Sequence, residues 1–230
     1  MPAEARSLTN RFIPIGEEID LQEGVSLYLG GVGPKRSRRA AEILLRRGAD
    51  ALLSWGSAGG LVGNLLPGAL ILPRIVIAAD QTTCTVDPEW PRYLRNQLEG
   101  RLDLYTDPLA ESLIVLSHPA EKNALFNRTG AIAVDMESST VGAVAREAGL
   151  PFIAIRAVAD PAYKTIPQCI LRGVDDFGRL GVLRLVKELI KRPSELFALA
   201  RLAGNFRSAH RSLETAARVI GKHFCPPSRW

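Results

Sequence analysis

Cysteine is scarce and poorly placed for cross-linking. Cys84, Cys169 and Cys225 are odd in number and far apart, which excludes a disulfide framework and a zinc site and leaves three free thiols. His118, His210 and His223 have no metal-ligand spacing, so no metal is expected. The opening residues MPAEARSLTNRF contain Glu4 and Arg6 and no apolar run of seven or more, which argues against a secretory signal and predicts a cytoplasmic protein. Charge is absent from residues 51 to 73, but Gly56, Gly59, Gly60, Gly63, Asn64, Pro67 and Gly68 interrupt that stretch. It reads as a strand, a glycine loop and another strand rather than a membrane span.

What is present is an ordinary globular composition. The 230 residues are 47% hydrophobic and 23% charged, enough to bury a full core within one domain and a short appendage. The net charge of +5 is unevenly placed. Residues 178–223 hold ten Lys or Arg against three Asp or Glu, which leaves 19 basic and 21 acidic residues elsewhere. A basic tail on a near-neutral body favours an anionic surface as the tail's partner and argues against whole-protein nucleic-acid binding.

Strands and helices alternate along the body. Val25 to Leu29 reads as a strand before Gly30-Gly31-Val32-Gly33, and Pro34 starts a helix that closes at Gly48. Ala49 to Trp55 predicts a strand entering the loop GSAGGL, and ALILPRIVIA predicts the next. Ser112 to Leu116 reads as a buried strand, Ala120 to Asn127 as a helix and Ala131 to Val134 as a strand. A helix with Val141, Val144, Ala145 and Ala148 on one face follows, ended by Gly149 and Pro151, and FIAIRAVAD is the last central strand. The pattern predicts an α/β three-layer sandwich around a mostly parallel or mixed sheet, with ligands at the strands' carboxyl ends. GSAGG, DMES and ADPA are placed at such ends.

From Gly178 the text is helical. Leu180, Leu183, Val186 and Ile190 form one stripe, Pro193-Ser194-Glu195 restarts a helix carrying Leu196, Leu199, Leu202 and Ala203, and a third helix runs from Phe206 to Ile220. The expected division is residues 1–177 as the α/β domain and 178–230 as a basic amphipathic extension packed on it. A solvated basic face explains the extension, and so does an amphipathic element resting on anionic lipid.

Familiar signatures fail one by one. Gly31-Val32-Gly33 lacks the third glycine of a dinucleotide fingerprint, and the next strand ends in Trp55 where an acidic ribose ligand is needed. In WGSAGG the serine directly follows the glycine, unlike the G-x-S-x-G elbow. Taken singly, Asp135 is an N-cap, Glu137 a first-turn acid facing the helix dipole, and Asp160 before Pro161 a turn former.

Taken together, SWGSAGGL, AVDMESSTVGAVAREAGLPF and IRAVADPA resemble the signature stretches of the nucleoside phosphorylase and methylthioadenosine/adenosylhomocysteine nucleosidase superfamily, over about residues 25 to 165. TGAIAVDMES, the EK before it and the tail are most similar to the hopanoid-biosynthesis branch, which removes adenine from adenosylhopane. The resemblance implies that Glu137 accepts hydrogen bonds from the ribose hydroxyls, Met136 walls the sugar, and Asp160 donates a proton to purine N7. It also implies that Ser57, with Gly56 and Ala58 beside it, holds phosphate or the attacking water. Lys35 and Arg36 at a helix start are further candidates for the anion, with a solvated basic face as the other reading. Inorganic phosphate is the expected co-substrate of a phosphorylase; no other cofactor is implied.

Departures from the family pattern keep alternatives open. Phosphorylases carry an arginine where this chain has Ser54, and the purine-side SGDxF stretch is replaced by LSHPAEK, so base contacts stay unassigned. PAEARSL resembles the segment after the family's first strand, which puts Glu4 at the glutamate that activates water in nucleosidases. Only Met1-Pro2-Ala3 precede it, and the expectation is a translation start further upstream. The leading expectation is phosphorolysis of adenosylhopane by a homo-oligomer that touches the inner membrane surface through residues 178–223. A hydrolytic methylthioadenosine- or futalosine-type nucleosidase is the second reading, and a noncatalytic nucleoside-binding module the third.

Overall fold

A computed structural model describes residues 2–173, 181–221 and 223–226, with only the backbone at 182–184. The stripe position Leu180 and the side chain of Leu183 lie outside that description. Nine consecutive residues, FIAIRAVAD, form strand β10 (Phe152–Asp160), which is buried along its whole length, as expected of a central strand covered on both faces. It runs parallel to β3 (Leu52–Gly60), in register from Phe152↔Leu52 to Ala157↔Ser57.

On the far side of β3 lies the short β9 (Ala133–Asp135), which is antiparallel, with Gly59 opposite Val134 and Gly60 opposite Ala133. The sheet continues through β8 (Leu109–Glu111), β5 (Ile75–Ile77) and β6 (Thr83–Thr85). Beyond β10 it ends in β4 (Leu70–Ile71) and β7 (Leu104–Tyr105). The eight strands are ordered β6-β5-β8-β9-β3-β10-β4-β7, and a separate antiparallel hairpin joins β1 (Glu18–Gln22) to β2 (Val25–Tyr28).

Helices flank this mixed sheet. They are α1 (Pro2–Ala5), α2 (Pro34–Arg46), α3 (Glu89–Leu98), α4 (Pro119–Thr129), α5 (Ser138–Glu147), α6 (Gln168–Gly173), α7 (Val182–Lys191) and α8 (Leu196–Ile220). α5 packs on β3, β10 and α2, while α8 packs on β10, β3, β4 and α3. Ile153, Ile155, Leu70, Leu94, Leu213 and Ile220 share one buried cluster, so the second half of α8 is part of the main core. No helix among the described residues is long and apolar enough to cross a membrane.

Four local expectations change. The GSAGG stretch is strand, not loop: β3 runs on to Gly60 because β10 pairs with it on one side and β9 on the other. Residues 112–116 are not a buried strand. β8 stops at Glu111, the Ser112 hydroxyl donates to the Ile114 carbonyl at 2.7 Å, and the chain turns outward with Leu113 60% and Ile114 66% exposed. The helix expected to carry Leu196 to Ala203 and the one expected from Phe206 to Ile220 are continuous, and α8 is one helix of 25 residues with Gly204 inside it. Leu202, Ala209, Leu213 and Ala216 are buried along it, and that packing outweighs the roughly 1 kcal/mol an internal glycine costs.

The fourth concerns placement. Because β9 runs against β3, Asp135 at its carboxyl end falls beside the middle of β3 rather than at its end. The strand-end picture therefore holds for DMES and ADPA but not for Ser57, which lies in the interior of β3.

Candidate active site

The site grows from Arg156, a guanidinium in the middle of β10 that is only 3% exposed. Burying it requires partners for its donors. Its Nε donates to Asp135 Oδ2 at 2.6 Å, and its Nη2 donates to Ser54 Oγ at 2.7 Å and Ser138 Oγ at 3.1 Å. Nη2 also lies 3.8 Å from Glu137 Oε2. Asp135 in turn accepts from the backbone N–H groups of Glu137 at 3.3 Å and Ser138 at 3.2 Å, and from the Ser138 hydroxyl. Asp135 thus caps the start of α5, as its position in the sequence suggests, and also neutralises Arg156.

Glu137 does not act as a first-turn acid of its own helix. It occupies the N-cap position of α5 without capping it, and its Oε1 instead accepts the Gly33 N–H at 2.9 Å, at the start of α2. Gly33 has a φ of 92°, a left-handed conformation suited to glycine, which turns its N–H toward the carboxylate. Burial pushes the Glu137 carboxyl up to about 7; repulsion from Asp135 and Glu4 adds to the rise, against the pull of Arg156 and the Gly33 N–H.

Glu4 reaches the same place from α1. Its Oε1 accepts both the backbone N–H and the hydroxyl of Ser57, each at 2.7 Å. Ser7 secures α1 by donating from its hydroxyl to the Glu4 carbonyl at 2.6 Å and accepting the Trp55 indole N–H at 2.9 Å. Burial works against ionising Glu4, yet nearby positive charge, Arg156 included, and the Ser57 hydroxyl outweigh it and hold the carboxyl below its ordinary value. Gly56 makes the meeting possible. A Cβ there would collide with Arg156 Nη1 and come within 2.8 Å of Glu4 Oε1.

Asp160, at the end of β10, has a different neighbour. Its Oδ2 is 2.6 Å from the ammonium of Lys122, on α4. Burial raises the Asp160 carboxyl above its ordinary value and the Lys122 charge opposes that rise without cancelling it. Met136 and Ala58 line the space between these groups. The enclosing cavity holds about 750 Å³, toward the upper end of ordinary small-molecule sites, and continues past the polar groups to an apolar wall of Leu113, Ile114, Leu171, Leu202 and Phe206.

The structure therefore brings together Glu4, Ser57, Ala58, Met136, Glu137 and Asp160 around one cavity, while Gly56 lies behind the lining against Arg156 and Glu4. It does not bring Lys35 there. That side chain is exposed on α2 and outside the lining, where Arg36 stands instead, because one step along a helix turns a side chain by about 100°. Arg156 and Lys122 were given no role by sequence reasoning. Arg156 carried a signal, a charge inside an otherwise apolar strand; Lys122 stood in the quoted EK with nothing to mark it as buried, since its burial is set by elements distant in sequence. Among the described residues no three His, Cys, Asp or Glu side chains are grouped to hold a metal ion.

This geometry sits in a fold found among nucleosidases. The chain superposes on the 5′-methylthioadenosine/S-adenosylhomocysteine nucleosidase of Helicobacter pylori with a TM-score of 0.66 at 17% identity, over 96% of this chain and 92% of that one. The futalosine hydrolase of the same organism gives 0.65 at 17%, over 96% and 92%. The Streptococcus pneumoniae methylthioadenosine/adenosylhomocysteine nucleosidase gives 0.60 at 16%, over 85% and 81%. At these identities the likeness is one of fold. Membership comes from the sequence: the model of the Phosphorylase superfamily matches residues 19–181, and the chain belongs to that family.

Proposed function

We propose that the protein cleaves the N-ribosidic bond of a 5′-substituted adenosine and releases adenine, with water as the nucleophile. The observation that carries the choice of water is Ser57, whose N–H and hydroxyl both donate to Glu4. A phosphate at that position would have to displace a carboxylate that both groups already bind. It would also face the repulsion of Glu4, Glu137 and Asp135 with Arg156 as the nearby cation. A neutral water meets no such barrier, and the ionised Glu4 is a base for it.

The roles follow from charge. As the bond to N9 stretches, the sugar becomes oxocarbenium-like, and the carboxylates of Glu4 and Glu137 face that developing positive charge. Glu137 holds the ribose hydroxyls and Met136 supplies an adaptable apolar wall. Asp160 gives its proton to N7 while the C1′–N9 bond breaks; water forms the new C1′–O bond and loses its proton to Glu4. Protonating the purine is what makes adenine a leaving group, so a carboxyl whose hold on its proton burial strengthens suits the task.

The size and apolar wall of the cavity support a large apolar 5′ substituent, and adenosylhopane fits that description. A lipid-linked substrate also gives a use to the exposed Val186, Ile190 and Phe197, which stand on α7 and α8 among Lys187, Lys191 and Arg201. These residues form an amphipathic surface suited to anionic lipid. The test is adenine release from adenosylhopane in detergent and from methylthioadenosine, each with and without phosphate, with the sugar product identified by mass. Phosphate-independent release with a free sugar is the expected result. A sugar 1-phosphate that forms only with phosphate overturns the water reading, and adenine binding without release from either substrate leaves a nucleoside-binding module.

A further inference from the structure

Lys122 is 1% exposed, and an ammonium at that depth must satisfy three donors. It does so with three acceptors: Asp160 Oδ2 at 2.6 Å, the Pro161 carbonyl at 2.9 Å and the Lys164 carbonyl at 3.1 Å. Its backbone is equally fixed. Glu121, the residue before it, accepts the N–H groups of Ser117 at 2.7 Å and His118 at 3.0 Å, which anchors the first turn of α4. The Ser117 carbonyl accepts the Ile166 N–H at 2.9 Å, so the segment after β10 is tied both to Lys122 on α4 and to the residues just before that helix. Among the described residues Asp160 has no other partner.

On the functional reading given above, we infer that Lys122 is a positioning residue for adenine release, which holds Asp160 in place and stabilises the carboxylate left behind when Asp160 gives its proton to the purine. The balance is simple. The Asp160 O–H bond breaks, an N7–H bond forms, the C1′–N9 electron pair leaves with adenine, and Asp160 ends as an anion beside an ammonium that keeps all its protons. Before transfer the ammonium faces a neutral carboxyl; after transfer it faces a charge. Its attraction therefore grows along the reaction, which is the condition for lowering the barrier rather than only tightening binding. The two carbonyls keep the ammonium solvated in the first state, so it does not depend on the aspartate being ionised.

The experiment compares Lys122→Met and Lys122→Gln with the parent and with Asp160→Asn, using two substrates that share one 5′ group. One is the adenosine derivative; the other is its 4-nitrophenyl riboside, whose phenolate leaves without needing a proton. The expected result is a loss of kcat on the order of 100-fold with adenine as leaving group, the low end of what a positioned acid contributes. KM should change little, and the nitrophenyl substrate should be turned over within a few-fold of the parent. Adding Lys122→Met to Asp160→Asn should cost little more than Asp160→Asn alone, because the lysine acts through the aspartate.

A merely structural lysine gives equal losses on both substrates and an additive double variant, and either result overturns the inference. Lys122→Gln keeps hydrogen-bond donors without the charge, so it supplies the same comparison if the methionine variant does not fold. A parent protein inactive on both substrates overturns the functional reading and this inference with it. An active parent with unaffected Lys122 variants overturns this inference alone.

Discussion

Two buried cations stand on the two sides of the cavity, and they are held in opposite ways. Arg156 faces three carboxylates, Asp135, Glu137 and Glu4, and bonds directly to the first. Lys122 faces one carboxyl, Asp160, and two backbone carbonyls. The arginine side therefore carries surplus negative charge, which adds to the rise that burial gives Glu137 and suits a place where a cationic sugar must form. The lysine side is close to balance, which suits a place where one proton must move. A guanidinium is always charged and forks between acceptors; an ammonium is a compact charge that a single carboxyl can match.

The strongest way to break the comparison is to remove each cation. Arg156→Met leaves Asp135 buried beside other carboxylates with no counter-charge, and stability should fall by about 3–5 kcal/mol. Lys122→Met leaves only Asp160, whose carboxyl can stay neutral without a counter-charge, so its cost should be less than half as large. Urea denaturation of both variants measures the difference. Equal losses mean that the two sides do not differ in charge balance.

Activity sharpens the same contrast. Glu4→Gln removes the base and Asp160→Asn the acid, and each should lower kcat by about 10²–10⁴ with adenine as leaving group. The two variants part on a leaving group that needs no proton, where Asp160→Asn recovers and Glu4→Gln does not. Gly56→Ala should cost activity as well, since its methyl group would fall on Arg156 Nη1 and Glu4 Oε1 together.

A smaller effect is read from pH. Glu137 has a folded pKa of about 7 against an ordinary 4.5, so between those values the folded protein binds the proton more tightly. Its contribution to stability is fully present below about 4.5 and is lost as pH rises through about 7. Activity runs the other way, because the ionised carboxylate is the form that accepts the ribose hydroxyls and faces the cationic sugar. Urea midpoints at about pH 5.5 and about pH 8 should therefore differ less in Glu137→Gln than in the parent. An unchanged difference assigns the pH dependence to other groups, with Asp160 the next candidate.

The two sides also differ in how far the sequence revealed them. DMES, GSAGG and the final ADPA pointed to Glu137, Ser57 and Asp160 through their resemblance to the family's signature stretches, each taken at a strand end; singly, each reads as a cap, a loop or a turn. PAEARSL pointed to Glu4 in the same way, with no strand end beside it to support the choice. Arg156 was within the quoted IRAVADPA and could have been noticed, since nothing but a function or a buried partner justifies a charge inside such a strand. Lys122 could not. A lysine between Glu121 and Asn123 on a helix of weak amphipathic pattern looks like solvent-facing text, and only the packing of α4 against the end of β10 makes it buried. The Ser112–Leu116 stretch differs from its expected strand for a similar reason: an apolar run marks burial, and here it forms the wall of a cavity.

The smallest expected effect is at Lys35, and it separates water from phosphate. A basic residue at a helix start suits an anion, and the N-terminus of α2 is such a start. Yet the Gly33 N–H at that end already donates to Glu137, and the Lys35 side chain is exposed outside the cavity. Lys35→Ala should leave kcat/KM within about twofold of the parent, as for an ordinary surface substitution, whether or not phosphate is present. Initial rates across a phosphate series check it. A tenfold loss that appears only with phosphate would place an anion at the start of α2, where it would have to compete with the Glu137 carboxylate, and would return phosphorolysis to the leading position.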